Sequence, residues 1–185
     1  MEKSTLIPYL RKDLEILFVG LNPAKGSSDN GHYFSVNQAF WNQLFDSGLI
    51  EKSVDKLIAD EIIFRTNKVN FSNWNYGITD LVTEFAESNS QKIKPTISHC
   101  KQLTENIRLY KPKTVVLLHS KVTKSLLNFL NRPIPKSNLG NIGNILSNSD
   151  TTFFNIAFPH GNAIPSSVKI ERYKELKKHL NTKKN

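Results

Sequence analysis

One cysteine, Cys100, is all that 185 residues offer. An internal disulfide is therefore excluded, and so is a cysteine metal cluster within one chain. This usage suits a reducing cytoplasm. Long apolar runs are missing too, and none approaches the ~20 residues that span a bilayer. The opening MEKSTLIPYLRKDLEI holds neither an apolar core nor a small-residue cleavage pattern. No signal peptide and no membrane segment are expected, and the location expected is cytoplasmic. No HExxH, CxxC or clustered His/Asp pattern occurs, no GxGxxG occurs, and Lys25-Gly26-Ser27 lacks the GxxxxGK(S/T) spacing of a phosphate loop. The expectation is no metal and no cofactor. A Ser/His/Asp set or a carboxylate pair cannot be placed either, which disfavours a small esterase or phosphate-ester hydrolase.

Acidic residues are scarce in one region. Residues 89–136 hold ten Lys/Arg against Glu105 alone, whereas residues 1–88 hold eight against twelve Asp/Glu. The net charge of +9 therefore lies in the second half of the chain. A basic surface segregated in this way is the footprint of a polyanion partner.

Length and an apolar content of 38% fit one domain, residues 1–185, with a sizeable core. Met1 to Glu15 reads as a loosely packed lead-in. Ile16–Val19 and the run Thr114–Leu118 (TVVLL) read as buried strands, and continuous apolar character suggests a parallel sheet. Thr152 to Ala157 is a third strand. Helical stripes are expected over Val36–Ser47, Ser53–Ile63, a segment opened by Lys94-Pro95, Ser120–Leu130, and a last helix from Pro165 or Ser166. Residues 64–77 read as a long connection, 78–85 as an ordered segment of either type, and 131–149 as a loop or hairpin. The tail after Asn181 is expected to fray. Helices alternating with buried strands give an α/β three-layer α/β/α sandwich with a central, mainly parallel sheet.

The most informative stretch is LFVGLNPAKGSSDNGHYFSVNQAFWNQLFDSGL, from Leu17 to Leu49. It runs strand, polar loop, helix, the way α/β proteins build a ligand site at a strand's carboxyl end. Asn22 is the polar side chain just past that strand. GLNPA followed by GHYFS, FW and SGL resembles the first active-site motif of the uracil-DNA glycosylase superfamily. It is most similar to the mismatch-specific uracil/thymine branch, whose motif reads GINPG. Tyr76-Gly-Ile-Thr-Asp-Leu-Val82 resembles that branch's central GxT segment. Phe158-Pro-His-Gly-Asn162, followed by Tyr173-Lys-Glu-Leu176, falls where the second motif and its helix belong. The order Pro159-His160-Gly161-Asn162 departs from the family's His-Pro-Ser or Asn-Pro-Ser-Gly.

The resemblance implies a DNA base-excision glycosylase acting on uracil or another deaminated base, and a monomer is expected. The alternative is a nucleic-acid-binding member of the same fold without catalysis. Hydrolysing a base–sugar bond needs a positioned water, a donor to the leaving base, and a flipped base held flat. Asn22 matches the residue that positions water, and His160 is the candidate donor. Phe34 matches the ring that stacks on the base, with Tyr33 as its neighbour and alternative. Gly20, Leu21 and Pro23 belong to the same base-binding motif. Gly161, Asn162, Ala163, Ile164, Ser166 and Ser167 are candidates for duplex and phosphate contact. His119 and Ser120 follow TVVLL at a second strand end, where phosphate contact and plain helix capping are equally open. Phe40 and Trp41 lie on a helical stripe and are assigned to the core.

Overall fold

The computed structural model describes residues 2–182. In chain order the elements are β1 (Glu2–Lys3), β2 (Ile16–Gly20), α1 (Lys25–Asn30), α2 (Ala39–Asp46), β3 (Tyr76–Asp80) and β4 (Phe85–Ala86), then α3 (Ile97–Tyr110), β5 (Thr114–Leu117), α4 (Ser120–Phe129), β6 (Gly140–Gly143), β7 (Thr152–Asn155) and α5 (Ser166–Thr182). The central sheet has the order β3-β2-β5-β7-β6. Its first four strands are parallel, and β6 closes one edge antiparallel to β7.

Strand alternation explains the layers. Ile16 and Phe18 face one side with Val116 and Phe154, where α2 supplies Phe40, Trp41 and Leu44 and α5 supplies Tyr173, Leu176 and Leu180. Leu17 and Val19 face the other side with Val115 and Phe153, beneath Cys100, Leu103 and Ile107 of α3 and Val122 and Leu126 of α4. Both faces of β2 and β5 are covered, which is why those runs are apolar throughout. The expected three-layer sandwich with a mainly parallel sheet is the observed fold. The assignment of Phe40 and Trp41 to the core also holds, at 0% and 1% exposure.

Helix ends follow local chemistry. Thr96 and His99 form a reciprocal capping box at the start of α3, and Lys111 in the left-handed region, followed by Pro112, ends it. The helix expected from Val36 begins only at Ala39, because the Asn37 side chain accepts from the Ala39 N–H and Val36 points outward.

Three expectations need correction. The lead-in is not loose. Glu2–Lys3 pairs with Phe85–Ala86, Tyr9 exchanges backbone hydrogen bonds with Ile78, and Leu6 and Leu14 are buried. No regular helix covers Ser53–Ile63. Leu57 and Ile58 are about half exposed, Asp55 turns back to accept from the Leu57 N–H, and the chain coils into a π-helix at Glu61–Thr66. The segment of open type is a strand, and it starts earlier than expected, at Tyr76. The hairpin alternative for 131–149 is realised as β6. Of the tail expected to fray after Asn181, Thr182 ends α5, and residues 183–185 lie outside the described residues.

Sequence neighbours β2 and β3 lie side by side, and the chain then crosses β2 to build β5. The strand order therefore reverses at β2, the place where open α/β sheets hold ligands beyond the strands' carboxyl ends. Among the described residues no helix is long and apolar enough to cross a membrane.

Candidate functional site

A cleft of about 540 Å³ opens at that edge. It is lined by the residues that follow β2, by the end of β3, by the start of α4 and by the loop between β7 and α5. The β2–β3 ladder continues past the strands through Leu81 N–H to Gly20 O and Val82 N–H to Leu21 O, at 2.9 Å each. Leu21 is thereby fixed, and Asn22 is delivered to the rim with a defined orientation. Its Nδ2 donates to the carbonyl oxygens of Pro23 and Glu87, both at 2.8 Å. Two carbonyl acceptors demand the NH₂ end of the amide, so Oδ1 is the end left to accept.

The aromatic loop is held by one buried carboxylate. Asp60, 1% exposed, accepts from the Tyr33 N–H and the Glu61 N–H and bonds His32 Nδ1, each at 2.9 Å. Phe34 then takes a left-handed backbone, φ 51°, and its ring stacks on Phe40 with centroids 4.3 Å apart. One face of Phe34 is thus spent on the core. Its surroundings in the cleft include Phe158, whose centroid is 5.9 Å away. Tyr33 is only 5% exposed and packs toward Tyr9, so its ring offers no comparable open face.

His119 caps α4 through its side chain. Nδ1 accepts from the Lys121 N–H at 3.0 Å, which requires the tautomer with hydrogen on Nε2. Burial, then the Lys121 charge, holds its pKa below the ordinary histidine value. His160 is exposed at the rim, its ring 5.0 Å from that of Phe158. Its pKa is also lowered, first by the burial its ring does have and then by Lys169. The backbone before it is clamped, because Pro159 O accepts from Gln43 Nε2 at 2.9 Å and from Lys169 Nζ at 3.2 Å.

The cleft gathers Gly20, Leu21, Asn22, Pro23, Tyr33, Phe34, His119, Ser120, His160, Gly161, Asn162 and Ile164 from the sequence-derived set. Ala163, Ser166 and Ser167 do not line it. Ser166 Oγ accepts from Gln43 Nε2 at 3.0 Å. Asn162 is a staple of its own loop. Its Nδ2 donates to Phe158 O and His160 O, and its Oδ1 accepts from the Ile164 N–H. That side chain is engaged within its own loop.

Other cleft residues escaped sequence reasoning as site residues, Phe158 and Asp80 among them. Phe158 was visible only as the first letter of an altered motif. Asp80 ends β3 at 7% exposure, and burial raises its pKa to about 7. Asp80 gave no local signal, because its burial comes from pairing beside Gly20 in a strand whose type the sequence leaves open. Among the described residues no group of three His, Cys, Asp or Glu is placed to hold a metal ion.

No curated protein matches the chain. A family model does match, over residues 7–178, from the lead-in that seals the first strands to the last turns of α5. Every segment that walls the cleft beyond Leu6 falls inside that span, and the chain belongs to the uracil DNA glycosylase superfamily.

Proposed function

We propose that this chain is a monofunctional DNA glycosylase that hydrolyses the N-glycosidic bond of uracil, or of another deaminated base, flipped out of DNA. Superfamily membership supports the reaction class, and the GLNPA sequence favours the mismatch-specific uracil/thymine branch. Residues 1–185 would act as one domain and as a monomer. The observation that carries the reading is the fixed amide of Asn22, whose Oδ1 is left free to accept from a water. Held over the anomeric carbon, the water oxygen bonds to C1′ while the C1′–N bond breaks. The bonding pair leaves on the base, and the surplus proton of the water passes to solvent. An amide positions such a water without removing its proton, which suits a sugar that gains cationic character before attack.

The departing base needs a hydrogen-bond donor where its negative charge grows. His119 meets that need best, with a neutral ring locked to present Nε2–H. His160 is exposed, and no described residue holds its ring by a hydrogen bond. His119→Ala is therefore expected to slow single-turnover cleavage by about 100-fold, the scale of one lost donor. His160→Ala should cost less. The reverse ranking would return the donor role to His160.

Phe34 would carry the flat base on its open face. Base–aromatic stacking is worth roughly 1–3 kcal/mol, so Phe34→Ala should lower cleavage efficiency by about 10- to 100-fold. An unchanged efficiency would remove Phe34 as the platform.

The reading itself is tested with enzyme in excess over single- and double-stranded oligonucleotides. Each carries one uracil, hypoxanthine, xanthine or mismatched thymine, and alkali reveals abasic sites. Cleavage at uracil is expected. Tight binding with no cleavage anywhere would assign the chain to a second reading, a non-catalytic nucleic-acid-binding member of the fold, which the displaced and exposed His160 favours.

A further inference from the structure

Asn22 takes its orientation from a loop, and the loop takes its place from a helix. The Glu87 carbonyl that accepts from Asn22 Nδ2 at 2.8 Å opens residues 87–93, which leave β4 and lead toward α3. The grip is mutual, since the Glu87 N–H donates in return to Pro23 O at 2.9 Å. Farther along, the loop bonds mostly to itself. The Asn89 N–H donates to Glu87 Oε1, the Gln91 N–H donates to Asn89 Oδ1, and Ser90–Lys92 form a single 3-10 turn. Ser88, Asn89, Gln91 and Lys92 are exposed, and Ile93 re-enters the core.

Lys121, on the first turn of α4, fastens this turn to the rest of the fold. Its Nζ donates to Ser90 O at 2.6 Å and to Ile93 O at 3.0 Å. An ammonium has three donors and no acceptor, so it suits a pair of carbonyls, and bonds from a charged donor are the stronger kind. The backbone N–H of the same residue donates to His119 Nδ1 at 3.0 Å. Lys121 therefore stands behind both groups assigned to the reacting bond. Its backbone sets the His119 tautomer, and its side chain holds the loop that holds Asn22.

We propose that Lys121 is a positioning residue for glycosidic hydrolysis: its ammonium locks the 87–93 loop so that the Glu87 carbonyl keeps Asn22 Oδ1 turned toward the water. The inference rests on the glycosylase reading for the reaction that Asn22 serves. Lys121 does not line the cleft, so it acts through the loop and not on the water or the base. Without the ammonium, the Ser90 and Ile93 carbonyls turn to solvent and the short turn is free to shift. Glu87 O then leaves its 2.8 Å contact, and Pro23 O remains as the other acceptor for the amide. One carbonyl no longer fixes which end of the amide faces the cleft.

The test separates aiming from binding and from folding. Lys121→Met removes the ammonium, keeps most of the stem and keeps the backbone N–H on which His119 depends. Lys121→Arg keeps a charged donor, and Lys121→Gln keeps a neutral one. Each is made in wild type, in Asn22→Ala and in His119→Ala. Single-turnover cleavage of a uracil duplex is titrated with enzyme, which gives a maximal rate and a half-saturating concentration. Lys121→Met should lower the maximal rate by about 10- to 100-fold and leave the half-saturating concentration within about twofold. Lys121→Arg should recover most of the rate, and Lys121→Gln part of it. The loss should repeat in His119→Ala and vanish in Asn22→Ala, where no amide is left to aim. Equal losses in both backgrounds, or a wild-type rate from Lys121→Met, would overturn the inference. So would a raised half-saturating concentration at an unchanged maximal rate, which would give Lys121 to the DNA phosphates. Should Lys121→Met not fold, Lys121→Gln carries the same comparisons. Hydrogen exchange of the Glu87 N–H is followed without DNA, with the Leu81 N–H as reference, and should quicken in Lys121→Met by about tenfold at Glu87 alone. That response in a chain that cleaves no oligonucleotide would overturn the glycosylase reading and leave the tie between Lys121 and Asn22 in place. Cleavage by a chain whose Glu87 exchange ignores Lys121→Met would do the reverse.

Discussion

Asn22→Ala is expected to lower single-turnover cleavage of a uracil duplex by about 100- to 1000-fold, the cost of losing one preorganised polar group at the reacting bond. Binding should persist, because the aromatic loop and the loop between β7 and α5 do not depend on that amide. The structure also revises what an acid would do at this position. On charge alone a carboxylate near a sugar cation would be attractive. Here, however, the amide nitrogen donates to the carbonyls of Pro23 and Glu87 at 2.8 Å. Asn22→Asp would aim an oxygen at two carbonyl oxygens and donate to neither. It should therefore lose activity at neutral pH and not gain it. Wild-type rates from Asn22→Ala would remove the water-positioning mechanism and the case for GLNPA as an active-site motif.

The second large effect is on stability. Asp60→Ala strips the acceptor from the Tyr33 and Glu61 N–H groups and from His32 at once. A buried donor left unmade costs about 1–3 kcal/mol, so a total loss of about 3 kcal/mol is expected. For a chain of this size each kcal/mol lowers the melting temperature by roughly 2–4 °C, giving a drop of about 6–12 °C in thermal denaturation. Cleavage should fall with it even below the melting range, because Phe34 follows Tyr33 directly and its left-handed backbone relies on that anchor. A melting temperature within 2 °C or so of wild type would show that water replaces the carboxylate without loss.

Much of the fold was legible because its central strands are buried on both faces. Ile16–Val19 and Thr114–Leu117 carry little besides apolar side chains, and no other environment accepts them. The third strand hid for the opposite reason. Gly77, Thr79 and Asp80 lower the apolar density of β3, yet every residue of it is buried, because the lead-in closes over one edge. That closure depends on Tyr9 meeting Ile78 across 69 positions of sequence, and no local pattern announces it. The π-helix at Glu61–Thr66 was missed for a similar reason. Ile63 and Phe64 are buried, but Leu57 and Ile58 are not, so the apolar spacing over Ser53–Ile63 described a surface that the helix does not use.

The site divides along the same line. Asn22 and Phe34 stood out because each sits in a dense local motif. Asp60 and His119 act through partners 27 and two residues away, Tyr33 and Lys121, and their roles are set by which backbone N–H each side chain meets. The altered second motif could be seen as altered, but whether its histidine is held could not. In the fold the Pro159 carbonyl before it is clamped, while the ring itself is exposed.

The contact between positions 20 and 80 means that two residues sixty apart share one volume. With Gly20 in place, the Asp80 carboxyl lies across the backbone where a Cβ would project. Alanine at 20 would have to displace that carboxyl, pushing it outward into the space a base would fill or forcing the two strands apart. A longer residue at 20 therefore calls for a shift of that carboxyl or a shorter side chain at 80. The two positions are coupled through that shared volume. The missing methyl of Gly20 acts as a depth stop, setting how far into the sheet a ligand can descend before it meets an acid.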